Sequence, residues 1–235
     1  MDWTCATLLG SGPWADWLAA NRWAVLAVVP AGYLIGSVPF GVIIARSHGV
    51  DLRKVGSGNV GATNVARALG AGWGCLCFFL DLAKGLAASL LAGAVAGASA
   101  GLPTELAQAV QVGAGCASVA GHVFNPWLGL RGGKGVATSL GMVLGIYPSL
   151  TWTGLCALGI WIVVTAVSRY VSLGSIAAAV AFLPLFAAFN WGRLAEHWPT
   201  GALAAVMVAL ILIRHRSNVR RLLNGTENKI GRRKK

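Results

Sequence analysis

Twelve residues interrupt an otherwise hydrocarbon-rich chain: Gly56-Ser57-Gly58-Asn59-Val60-Gly61-Ala62-Thr63-Asn64-Val65-Ala66-Arg67. Glycines let a loop turn its backbone amides toward an anion, and the hydroxyl, amide and guanidinium side chains around them can complete the coordination. The stretch reads as a phosphate cradle, with Ser57, Asn59, Thr63, Asn64 and Arg67 as the residues that would touch the ligand. Gly56, Gly58 and Gly61 also satisfy G-x-G-x-x-G, but a dinucleotide fold needs a buried strand before the motif. What precedes it here is a long apolar segment followed by Arg46, Asp51, Arg53 and Lys54, so that reading is set aside.

A second polar run extends from Gly121-His122 through Asn125-Pro126 to Arg131-Gly132-Gly133-Lys134-Gly135. Gly132, Gly133 and Lys134 stand at the predicted start of a helix, where backbone amides, an ammonium and the positive helix end can converge on one anion. It is not a Walker A loop, since Lys134 is followed by glycine instead of Ser or Thr. Asp81 and Lys84, three apart within an apolar span, read as a structural ion pair because charges at such depth are costly unless matched. Ser172 stands at another predicted helix start. His215 and Asn218 share a helical face just beyond the last apolar span, and Glu227 follows in the tail.

These residues must be positioned by membrane helices. Of 235 residues, 56% are hydrophobic and only 11% charged, about half the charge of a soluble domain. Apolar runs near 24–45, 70–98, 107–125, 136–150, 151–167, 173–191 and 200–213 predict an all-α integral membrane protein of about seven transmembrane helices, a single domain over 1–235 ending in a flexible basic tail over 228–235. With the N-terminus outside and the C-terminus cytoplasmic, Arg46, Arg53, Lys54, Arg67, Arg131, Lys134, Arg169 and the tail all fall inside, and only Arg22 and Arg193 outside. The polar motif loops then share the cytoplasmic face. The net charge of +12 points to anionic headgroups and substrates, not nucleic acid, because the basic residues sit beside apolar spans. Gly93-x-x-x-Gly97, Gly97-x-x-x-Gly101 and Gly141-x-x-x-Gly145 would let helix backbones approach closely.

Three motifs in order, Ser57 to Arg67, Gly121 to Thr138 and His215 to Glu227, make the chain resemble the bacterial acyl-phosphate:glycerol-3-phosphate acyltransferases. Asn125-Pro126 and Leu130-Arg131 stand where that family more often has Phe-Pro and Phe-Lys. The resemblance implies an inner-membrane enzyme that begins phospholipid synthesis and takes glycerol 3-phosphate and acyl phosphate as substrates. It also implies a partner enzyme that supplies the donor. Carried over by position, Ser57, Arg67, Lys134, His215 and Asn218 would be catalytic. Thr63, Asn64, Gly132, Gly133 and Ser172 would bind substrate, joined by Asn59 from the reading of the glycine loop itself, and Glu227 would hold the cytoplasmic loops together.

Two anions call for two cradles, and an acyl phosphate is a mixed anhydride that needs no covalent nucleophile from the protein. The proton would pass to His215 or to a phosphate oxygen of the donor. Neither metal nor cofactor is expected, since Lys and Arg meet the phosphate charge and carboxylates that could hold Mg²⁺ are lacking. No H-x-x-x-x-D dyad follows His48, His122, His197 or His215, which argues against an acyl-CoA-type enzyme. The rival reading is a transporter or exchanger of organic phosphates that uses Asp81 and Lys84 for translocation.

Overall fold

The structure, a computed structural model, describes residues 13–97, 104–194 and 197–230, and every regular element among them is helical. In chain order these are α1 (Pro13–Ser37), α2 (Phe40–Ser47), α3 (Ala62–Leu69), α4 (Ala71–Gly97), α5 (Thr104–Val123), α6 (Val136–Leu144), α7 (Thr151–Ser168), α8 (Val171–Phe189), α9 (Trp198–Arg214) and α10 (Arg216–Leu223).

Among the described residues, four stretches are long and apolar enough to cross a membrane: Leu26–Ser47, Ala71–Gly97, Thr151–Ser168 and Val171–Phe189. A fifth is added when Thr200–Arg214 is counted together with Arg216–Leu223 across a 49° bend. Two of the seven predicted spans depart from this pattern. The run at 136–150 is not one helix: α6 stops at Leu144, and Gly145 through Leu150 form turns around Pro148. Its nine residues rise about 13 Å, well short of a hydrocarbon core. The run at 107–125 is α5, whose polarity keeps it out of the apolar set. Its polar side chains point into protein: Gln108, Ser118 and His122 are buried, and α5 is enclosed by α1, α4, α6 and α9.

Small residues set the spacing. A Cβ at Gly32 or Gly36 of α1 would land on the Ala114 or Ser118 carbonyl of α5, so these two helices meet backbone to backbone. Gly141 approaches the Leu82 carbonyl on α4 in the same way, and Gly145 abuts Ser89, as the Gly141-x-x-x-Gly145 spacing predicts. Gly93 leaves room for the Gln111 side chain, whereas Gly97 has open space before it and Gly101 lies outside the described residues. Met142, Ile146, Leu150, Val112 and Phe182 centre one core cluster. Ile44, Leu52, Val60, Val65 and Cys77 form another directly beneath the first glycine loop. Leu52 before that polar run and Val65 near its end therefore pin it from both sides, and burying each such side chain contributes about 1.5–3 kcal/mol.

A cationic cavity where three helices begin

The loops that the sequence separates meet at one end of the bundle. Arg53 donates to the Leu128 carbonyl at 2.8 Å, which ties the first glycine loop to the second. Arg214, the last residue of α9, donates to the Gly132 and Gly133 carbonyls at 3.1 Å each. Between these loops lies an open cavity of about 120 Å³, lined by Ser57, Asn59, Thr63, Asn64, Arg67, Lys134, Ser172, His215, Asn218 and Glu227. All five predicted catalytic residues share this wall. Its lining also includes Ala62 and Thr63 of α3, Val136 and Ala137 of α6, and Val171 and Ser172 of α8. Three helix N-termini thus face one space, each with a partial positive charge and amides that no helical carbonyl satisfies.

The first loop is held rigid by its own side chains. Asn64 is buried, accepts from Ser57 N at 3.0 Å and donates to the carbonyls of Leu52 and Val55 at 3.0 and 3.1 Å. Asn59 accepts from Gly61 N at 3.0 Å. Both amide side chains are occupied in shaping the loop, while Ser57 and Arg67 stand exposed on it.

Gly132 and Gly133 differ from the expected amide cradle. Their N–H groups donate to the Val123 and His122 carbonyls at 3.0 and 3.1 Å, so neither amide is left for an anion. They are glycines because α5 passes too close: a Cβ at Gly132 would strike the His122 carbonyl, and one at Gly133 the Nε2 edge of the His122 ring. Of Gly132, Gly133 and Lys134, it is Lys134 that lines the cavity.

Lys134 Nζ donates to Asn218 Oδ1. Asn218 Nδ2 passes the chain on to Glu227 Oε1 at 2.8 Å, where Ser172 Oγ also donates at 2.9 Å. Arg221 closes on Glu227 Oε2 at 2.6 Å. Burial pushes the Glu227 carboxyl up, but hydrogen bonds from Arg221, Asn218 and Ser172 outweigh it and hold it below its ordinary value. Burial pulls Lys134 down to about 8; Glu227 opposes this, while Arg221, Arg67 and Arg214 add to it. His215, the residue between α9 and α10, lies buried with Nδ1 2.8 Å from the Ile211 carbonyl. A carbonyl only accepts, so Nδ1 carries the proton and Nε2 is left as an acceptor. Burial first, then the Lys134 cation, push this imidazole down to about 4.

In the cavity wall, which Asp81 and His122 also line, Asp81 and Lys84 form the expected ion pair at 2.7 Å, both buried. His122 joins it, a partnership across 38 residues that spacing could not reveal. Arg221 and Arg214 were also missed as site residues. Arg221 follows His215 and Asn218 at the same three-residue interval, a signal that places it on their helical face. The tail is pinned further than expected. Ile230 N donates to the Arg169 carbonyl at 2.8 Å, Arg169 returns a bond to the Ile230 carbonyl at 2.9 Å, and Lys229 lies over the Tyr170 ring. Only 231–235 fall outside the described residues.

A second cavity of about 90 Å³ lies next to this site within the bundle between α4, α6, α7, α8 and α9, and its lining is almost wholly apolar. Phe78, Val136, Trp161 and Ser175 line both cavities.

Apolar spans and outward-facing apolar side chains such as Phe79, Leu91, Val163 and Val206 define a multi-pass membrane protein with a cation-lined cavity at one end. Residues 26–225 match the family model described as glycerol-3-phosphate acyltransferase, and the chain belongs to that family. A glycerol-3-phosphate acyltransferase of Aquifex aeolicus (strain VF5) is 45% identical over 207 residues, covering 87% of this chain and 98% of its own. Another, from Rhizobium meliloti (strain 1021), is 41% identical over 210 residues, covering 88% and 93%. Crystal structures of PlsY (YgiH), an integral membrane glycerol 3-phosphate acyltransferase, superpose with TM-scores of 0.76 for its glycerol 3-phosphate form and 0.74 for its lysophosphatidic acid form. They are 42% and 41% identical, and each comparison covers 88% of this chain and 96% of the other.

Proposed function

We propose that this chain transfers an acyl group from acyl phosphate to the sn-1 hydroxyl of glycerol 3-phosphate, giving lysophosphatidic acid and inorganic phosphate without a covalent acyl-enzyme. One observation carries the reading: a polar, cationic cavity adjoins an apolar one, and the two share Phe78, Val136, Trp161 and Ser175 in their walls. A molecule with a phosphate at one end and a hydrocarbon chain at the other fits that division. The second phosphate belongs to the acceptor, and the cavity offers Arg67, Lys134, Arg221 and three helix N-termini for two anions.

In the reaction the acceptor oxygen bonds to the acyl carbon, the bond from that carbon to the phosphate oxygen breaks, and the hydroxyl proton leaves with the phosphate. Lys134 and Arg67 hold the phosphate charge, and Ser57 and Asn218 orient the reacting groups. An imidazole held near 4 is a weak base, so a phosphate oxygen of the donor takes the proton and His215 Nε2 orients the hydroxyl. Ser172 acts through Glu227, and Gly132 and Gly133 through the placement of Lys134.

The cavity faces the cytoplasm of a bacterial inner membrane, with the N-terminus outside and the chain passing the bilayer seven times if α5 and the α6 region are counted. Arg53, Arg67, Lys134, Arg169 and Arg214 at one end of the bundle support this by the positive-inside rule. A partner enzyme that makes the acyl phosphate would deliver it from the same side.

The test compares acyl phosphate, acyl-CoA and acyl-carrier protein as donors to glycerol 3-phosphate with purified protein in detergent. Lysophosphatidic acid and phosphate are expected from acyl phosphate alone. Product from a thioester donor instead, or none from any donor with a folded preparation, overturns the proposal.

A further inference from the structure

Lys84 has three ammonium hydrogens and three acceptors around them: Asp81 Oδ1 at 2.7 Å, the Val38 carbonyl at 2.9 Å and His122 Nδ1 at 2.8 Å. An ammonium only donates, so toward Lys84 His122 Nδ1 is the acceptor, and the same nitrogen lies 3.5 Å from Asp81 Oδ1. The Nε2 edge of the ring occupies the space where a side chain on residue 133 would go. The His122 carbonyl meanwhile takes the Gly133 N–H, and Arg214 grips the Gly132 and Gly133 carbonyls from the opposite side. The next residue is Lys134, bonded to Asn218 in the cavity.

We propose that Asp81, Lys84 and His122 form a buried positioning relay that sets the seat of Gly132-Gly133 and thereby aims Lys134 at a substrate phosphate. His122 is its last member and acts as a positioning residue. The ion pair fixes the ring through Nδ1, the ring edge and carbonyl fix Gly133, and the short backbone step from Gly133 fixes the root of the Lys134 side chain. Asp81 and His122 line the same cavity as Lys134, and such packed, hydrogen-bonded support is what keeps a charged group within the narrow tolerance that phosphate binding requires. The inference rests on the proposed role of Lys134.

The experiment uses full-length protein with acyl phosphate and glycerol 3-phosphate. His122→Leu is expected to raise the KM of a phosphate-bearing substrate about tenfold or more while kcat stays within about threefold and the melting temperature is kept. His122→Asn, whose Oδ1 can stand in for Nδ1 toward Lys84, recovers most of that loss. Gly133→Ala displaces the ring without touching the ion pair and is expected to raise the same KM. In a His122→Ala background, where the ring is gone, Gly133→Ala costs less than about threefold more. Unchanged KM in both His122→Leu and Gly133→Ala overturns the relay, as does the same Gly133→Ala penalty with and without the ring. If His122→Leu does not fold, the Gly133→Ala kinetics decide alone. A wild-type protein that makes no product sinks the function reading instead, so the two failures are distinguishable.

Discussion

Lys134 and Asn218, 84 positions apart, are joined directly by a hydrogen bond from Nζ to Oδ1. Asn218 is in turn held by Glu227, so the cation at the start of α6 is positioned by a carboxylate from the tail. The cavity is therefore closed by an assembly of the second and third motifs, and each link can be tested.

Lys134 should govern the alkaline side of the pH profile. With its ammonium titrating at about 8, kcat/KM of the free enzyme falls as pH rises through that value, because the charged form is the one that holds phosphate. Lys134→Arg moves that limb out of range, since a guanidinium stays charged. Lys134→Ala costs about 100-fold or more. Stability moves oppositely: between about 8 and the ordinary 10.5, the unfolded chain holds a proton that the folded one has lost, so this group's contribution rises with pH. Arg193→Ala, beyond the far end of the 19-residue α8 and about 28 Å along it, leaves the profile unchanged.

Glu227→Gln tests the strap formed by the tail. The carboxylate accepts from Arg221, Asn218 and Ser172, and the amide can satisfy only part of that set. A loss of about 1–3 kcal/mol is expected from the melting transition, with faster proteolysis between Asn224 and Ile230. Because the folded carboxyl sits below its ordinary 4.5, its stabilisation is full above 4.5 and fades as pH falls through the lower folded value. Glu227→Gln should lack that acid-dependent component.

His215→Gln should keep turnover within about tenfold of wild type if a phosphate oxygen takes the proton. Wild type should show no acid limb near the ordinary histidine value of 6.5, since burial holds this imidazole at about 4. A profile that loses activity below 6.5 and becomes flat in His215→Gln would make the histidine the base.

Ala179→Phe probes the apolar cavity. Ala179 lies on α8, one turn deeper than Ser175, which lines both cavities. The added ring should depress turnover of long-chain acyl phosphates strongly and that of short-chain donors little. Equal loss for every chain length would place the hydrocarbon elsewhere.

Much of this was legible in the chain itself. The polar residues stand out because they are costly in a hydrocarbon setting; the family resemblance singled out Ser57, Arg67, Lys134, His215 and Asn218 among them, and all five line one cavity. The Asp81–Lys84 pair follows from helical spacing alone. Span boundaries were readable where apolar character is continuous. They failed at 136–150, where mean hydropathy does not register that Gly145 and Pro148 end a helix.

Tertiary structure alone decided which partners those residues take. Gly132 and Gly133 look like an anion-binding pair in sequence, yet their amides serve α5 and their missing side chains admit His122. Glycine spacing records that a backbone must come close to something, but not to what. Composition determined the class of environment and the chemistry available, because burial in a membrane penalises every polar atom that lacks a purpose. The pairing of Lys134 with Asn218, and of His122 with Lys84, depends on how separate helices stack, and only packing contains that information.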